Sequence, residues 1–165
     1  MDDTKGFIQI SYPVERDSWD GAVTEDLWVK LVKALPPHRA IVEVRNIPAS
    51  TKSLSFGDKI SVMYREGKVK FDAIVERGGH STYRIFVEHQ SPDASRMLDL
   101  IKAMGCDWEA GPHLSGKLYA VDVPPEVNIH DVHEILDKGR REGHWFCQEG
   151  YVGHPRGEES YSPVT

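Results

Sequence analysis

Period-two alternation dominates the first half of the chain. Val42 and Val44 alternate with Glu43 and Arg45, and Ile60, Val62 and Tyr64 with Lys59, Ser61 and Arg65. Val69, Phe71, Ala73 and Val75 then alternate with Lys68, Lys70, Asp72 and Glu76. One apolar face per segment is the mark of half-buried antiparallel strands. Residues 27–32 add an apolar run closed by Pro36-Pro37, residues 7–12 add an edge strand, and residues 17–21 form a loop between the two. Glu66-Gly67 joins two of the alternating segments as a tight hairpin, with glycine supplying a positive φ. Strands this short and evenly spaced predict a small antiparallel β-barrel of SH3-like type over residues 1–80.

Gly78-Gly79 interrupts the pattern, which then alternates between two periods. Tyr83, Ile85 and Val87 read as a strand. Ser91 caps a helix with Pro92 at its first position, and Met97, Leu98, Ile101 and Met104 lie at helical spacing before Gly105. A short strand at residues 106–109, a loop at 110–116 and a strand at 117–123 follow. Asn128 caps a second helix whose inner stripe is Ile129, Val132, Ile135, Leu136 and Gly139, with Asp131 completing a capping box. Residues 144–147 are a last strand. The order β-α-β-β-α-β predicts a ferredoxin-like unit over residues 81–150. The fold class is therefore α+β, a barrel followed by a ferredoxin-like βαββαβ unit, with residues 151–165 as a flexible tail. In that topology Cys106 and Cys147 lie on opposite sheet edges, too far apart for a disulfide.

The chain has 165 residues, 39% of them apolar, enough for a core. No apolar run approaches the roughly 18–20 residues that span a bilayer. The acidic start, Met1-Asp2-Asp3-Thr4-Lys5, lacks the pattern of a secretory leader, so a cytoplasmic protein with free thiols is the expectation. The net charge of −6 is unevenly placed. Residues 1–80 carry 12 acidic and 12 basic side chains, residues 81–165 carry 14 and 8. From Asp122 to Asp137 stand Asp122, Glu126, Asp131, Glu134 and Asp137, with no lysine or arginine among them. Such a surface repels phosphate backbones and attracts basic partners.

Candidate chemistry is sparse. His80, Ser81 and Arg84 form the densest polar cluster, where the two halves meet. A serine nucleophile needs a base within reach, yet adjacent strand residues point to opposite faces, so His80 and Ser81 cannot pair with each other. His130 and His133 share a helix side, but their positions read as solvent-facing and no third ligand accompanies them at recognised spacing. The strand at residues 82–88 offers only Phe86 outward beside Arg84, and the strand at 117–123 turns Asp122 outward, which argues against an RNA-binding sheet. No metal, cofactor or phosphate-loop motif is expected.

The run from Glu76 through Gly78-Gly79-His80-Ser81-Thr82-Tyr83-Arg84, with Leu27-Trp28-Val29, Asn46-Ile47-Pro48, Met104-Gly105-Cys106-Asp107-Trp108-Glu109 and Leu118 to Pro125, resembles the bacterial domain family numbered 4265 among domains of unknown function. The resemblance spans roughly residues 25–150. It implies one compact unit built from both halves and transfers no catalytic residue. Taken with the charge, the expected function is a non-catalytic cytoplasmic binding protein. Most specifically, it is an immunity protein that occludes the basic surface of a cognate bacterial toxin, such as a nuclease. Its contacts would be Asp122, Glu126, Asp131, Glu134 and Asp137, with Trp108, Trp145 and Phe146 as aromatic anchors. Nucleic acid and membrane are not expected partners. The alternatives are an enzyme using His80, Ser81 and Arg84, or a regulatory module that binds a small molecule.

Overall fold

The computed structural model describes residues 6–155, apart from Asp17 and Trp19. Asp17 and Trp19 of the expected loop, the N-terminal residues read for a leader, and residues 156–165 of the expected tail lie outside the described residues. Five strands, β1 (Phe7–Pro13), β2 (Thr24–Leu35), β3 (Arg39–Val44), β4 (Lys59–Arg65) and β5 (Lys68–Glu76), close into a barrel. The strand expected at an edge, β1, is a full member: it pairs along its length with β2 and closes on β5 through a parallel bridge between Ser11 and Lys70. Ile10, Leu27, Val29, Val42, Val44 and Ile60 fill the interior. The β4–β5 turn has positive φ at both Glu66 and Gly67, the twist that a two-residue hairpin requires.

Two strands depart from the alternation. β2 runs 12 residues and slips register between Leu31 and Lys33, so Leu31 and Val32 are both exposed. In β5, Val62 pairs with Phe71 but Ser61 pairs with Ala73, which leaves Asp72 as the extra residue. An extra residue turns the side chains after it to the other face, and a second slip between Ile74 and Glu76 leaves Val75 extra as well. Val69 and Phe71 therefore pack on the barrel core, while Ala73 and Val75, expected inside, face out.

The second unit contains β6 (Ser81–Val87), α1 (Pro92–Ala103), β7 (Asp107–His113), β8 (Gly116–Val123), α2 (Ile129–Arg141) and β9 (Phe146–Val152). Its sheet runs β7-β8-β6-β9 with every pair antiparallel. Ser91 accepts the Ala94 N–H at the start of α1, and Asn128 accepts the His130 N–H at the start of α2. Both helices cover one face of the sheet, around Tyr83, Ile85, Ile101, Val121, Val132 and Leu136. Gly139 is needed on that face, because a Cβ there would lie 2.1 Å from the Trp145 ring. Trp145 is buried and donates its indole N–H to the Leu136 carbonyl, so it is a core residue and no surface anchor. The loop expected at residues 110–116 is the second half of β7 and a tight turn at Leu114-Ser115. Cys106, just before β7, and Cys147, in β9, are free and buried in the same helix-covered core toward opposite edges of the sheet, and burial pushes each thiol up to about 12.

Candidate functional site

The barrel leans on the sheet face that the helices leave open, and the segment from Gly78 to Arg84 forms the join. Gly78 has no room for a side chain: a Cβ would stand 2.7 Å from the Gly57 carbonyl oxygen. Its N–H donates to the fully buried Asp58, which also accepts from Arg77 and from the Ser55 N–H. Gly79 takes a positive φ of 85° and packs on Pro125. Beyond it the side chains alternate across β6, as strand geometry requires.

On the barrel side, Thr82 and Ser55 share a hydroxyl–hydroxyl bond of 2.7 Å, and Arg84 donates to the Thr51 carbonyl. Arg84 is 2% exposed, and its Nε and Nη1 have no hydrogen-bond partner among the described residues. Burial lowers its pKa, against Glu25, Glu15 and Asp20, whose charges favour the guanidinium. Those three carboxylates also build the loop that Arg84 meets. Glu25 accepts the N–H groups of Ala49, Ser50 and Thr51, Glu15 accepts from Thr51 and Lys52, and Asp20 accepts from Ser50 and Ala22. Burial alone would raise the pKa of Glu15 and of Asp20, but these hydrogen bonds outweigh it and both are lowered.

Ser81 points the opposite way and meets His154, 73 residues on, at 2.6 Å. The His154 Nε2–H faces the carbonyls of Pro124 and Val127, so Nδ1 is the acceptor and the Ser81 hydroxyl donates to it. The Ser81 oxygen in turn accepts the N–H groups of Gly153 and His154. Both residues are buried. This corrects the reading of a loose tail from Tyr151: β9 runs to Val152, and His154 is locked into the core of the join. A single histidine beyond the last periodic segment left no pattern from which to find it.

His80 donates from Nδ1 to Asp122 at 2.8 Å. The hydrogen bond to Asp122 raises the His80 pKa, burial opposes it, and the charges of Asp122, Glu126 and Asp58 add to the rise. Asp122 was expected on the surface and is instead buried, because the open side of β8 is the side the barrel covers. The ring of His80 lies at the floor of a cleft of about 230 Å³, walled by Glu43, Arg45, Lys59, Glu76 and Arg77.

The remaining acidic residues divide. Glu126, Asp131 and Glu134 are exposed. Asp137 is held by Arg140 at 2.7 Å and Arg141 at 2.9 Å, which keep its carboxyl below the usual range. Trp108 is half-buried, edge-on to Tyr119 with the Lys102 ammonium 4.0 Å from its ring, so it is occupied as well. His133, expected in solvent, turns in edge-on to Tyr83. Of the three expected anchors Phe146 is the exposed one, at 69%, stacked on Phe86. His80, Ser81 and Arg84 are thus neighbours in sequence that serve three separate contacts, and Ser81 and Arg84 are closed to solvent.

No curated protein matches the chain. A hypothetical protein from Neisseria gonorrhoeae, known as a crystal structure, is similar over 91% of this chain and 96% of its own, at 16% identity and a TM-score of 0.64, a likeness of fold. Residues 25–147 match the family described as "Domain of unknown function (DUF4265)". The match takes in the whole Gly78–Arg84 join and stops short of His154, and with three-quarters of its length covered, this chain belongs to that family.

Proposed function

We propose that this protein is a non-catalytic binding protein that captures a cationic protein, in the manner of an immunity protein occluding the basic surface of a cognate bacterial toxin in the cytoplasm. The reading rests on one observation. Glu126, Asp131 and Glu134 stand exposed on the approach to α2 and on its first turns, and no lysine or arginine falls between residues 122 and 137. The acidic surface is narrower than the five carboxylates of the linear run, since Asp122 serves His80 and Asp137 serves two arginines. Opposite charge steers the encounter over about a Debye length, roughly 8 Å at physiological salt, and buried anchors set the lifetime. Of the three expected anchors, Trp108, Trp145 and Phe146, the exposed Phe146 keeps that role. On the same footing we read the five-stranded barrel as SH3-like and the second unit as ferredoxin-like, the latter supported by the strand order β7-β8-β6-β9 with both helices on one side.

The test is titration of the purified protein against basic domains encoded in its own locus, with the wild type beside a Glu126→Lys, Asp131→Lys, Glu134→Lys triple variant. Saturable, salt-sensitive binding that the triple variant loses while keeping its melting temperature is the expected result. Absence of binding, or binding indifferent to the reversal, overturns the reading.

A further inference from the structure

We propose that the cleft over His80 is a binding site for a phosphate-type oxyanion. Gly57 and Gly78 line it beside His80. A Cβ on Gly57 would stand 3.2 to 3.3 Å from Cδ2 and Nε2 of His80, so the bare backbone there is what leaves the Nε2 edge of the ring reachable. The ring cannot turn away, because Nδ1 is fixed on the buried Asp122 and Phe56 lies against it with 5.4 Å between ring centres. The imidazole is thereby oriented with Nδ1 engaged on Asp122, the arrangement by which a partner on one nitrogen leaves the other to act.

The walls carry three long cations. Arg45 sits 5.0 Å from the Phe56 ring and spends Nη1 on Glu43. Arg77 spends Nη1 on Asp58 and the Ser53 carbonyl. Lys59 reaches Glu76 only at 3.4 Å, and Glu76 is itself mostly in solvent. A guanidinium has five N–H donors and an ammonium three, so each cation keeps donors after these contacts. Among the lining side chains Arg45, Lys59, Arg77 and His80 stand against Glu43 and Glu76, with Asp58 behind Arg77 and Asp122 behind His80. These side chains line, from three strands and the join, a space of about 230 Å³ that opens to solvent. That disposition suits the four oxygens of a tetrahedral anion better than the single plane of a carboxylate. Clefts where two units meet, lined by a few converging polar groups around a histidine of shifted pKa, are where small ligands bind.

The site is independent of the acidic face of α2, and so is its test. The imidazole resonances of His80 are followed by NMR near neutral pH while inorganic phosphate replaces chloride at constant ionic strength. A saturable shift is expected, with the His80 titration midpoint moving further up as the bound anion favours the imidazolium. Lys59→Met, at a half-buried side chain, and Arg45→Met, at an exposed one, each weaken phosphate by about tenfold, the value of one lost charge-assisted hydrogen bond. Methyl phosphate runs as a second arm: tighter binding than inorganic phosphate identifies a phosphomonoester as the ligand, and weaker binding identifies the free ion. No saturable shift with either probe, or shifts unchanged in the Lys59→Met, Arg45→Met double variant, overturns the proposal.

Discussion

The barrel and the sheet-and-helix unit hold themselves together in the same way and are joined in a different one. Each encloses its own apolar cluster, and the two clusters share no residue. Between them the bonds are polar: Thr82 to Ser55, Arg84 to the Thr51 carbonyl, the Ser55 hydroxyl to the Tyr151 carbonyl, and Arg77 stacked 3.9 Å over the Tyr151 ring. Apolar burial is roughly proportional to area and tolerates small shifts, whereas buried polar groups are costly when one partner goes missing. The cores should therefore fail by cavity and the join by orphaned charge.

Leu136→Ala breaks the comparison hardest on one side. Leu136 is fully buried between α2 and the sheet, so truncation should cost about 2–5 kcal/mol by urea unfolding. Hydrogen exchange should show lost protection concentrated in β6 to β9 and little change in β1 to β5; equal loss in both would mean that the cores are one cooperative unit. Arg84→Met comes next, at about 1–3 kcal/mol, since it leaves the Thr51 carbonyl without its donor and Glu15, Glu25 and Asp20 facing one another. Its signature is different: protection falls at residues 49–53 as well as in β6. Ser81→Ala should cost about 1–2 kcal/mol, as His154 Nδ1 and two backbone N–H groups lose their partner. Protease cleavage after β9 reads that release directly, and an unchanged cleavage rate would show that His154 is held by Pro124 and Val127 alone.

What could be read from the chain divides along the same line. The helices were legible because their information is local: Ser91 and Pro92 start α1, and apolar spacing names the buried face of both. β5 was misread at its far end because a bulge leaves no mark in the alternation it interrupts. Asp122 was placed on the correct side of β8, alternating with Val121 and Val123, yet on the wrong side of solvent, since no strand's own pattern says that another unit covers it. Asp137 was the opposite case. Its arginines stand three and four residues on, within reach of the helix rule, just past the end of the run that drew notice. The Gly78–Arg84 segment was singled out as specific, and its role in joining two units only emerges once residues 51, 55, 122 and 154 are in place around it.

The smallest effect is also the one that distinguishes the join's two polar borders, because they answer pH with opposite signs. His80 has a folded pKa above the ordinary value of about 6.5, so its bond to Asp122 contributes stability that is whole below that value. The contribution fades as pH rises through the raised one. Glu15 and Asp20 have lowered folded values, so their contribution is whole above the ordinary carboxylate range and is lost as pH falls through the lowered values. Melting temperature against pH should therefore sag at both ends, and each end should be separable by one substitution. Asp122→Asn keeps the size of the side chain and removes the charge. It should return the His80 midpoint toward its ordinary value by NMR and flatten the neutral-to-alkaline limb, leaving the acid limb as it was. Glu15→Gln should make the acid limb shallower, with the share of Asp20 remaining, and leave the alkaline limb as it was. If Asp122→Asn left the alkaline limb intact, the His80 bond would be a consequence of the barrel's docking and no part of what holds it there.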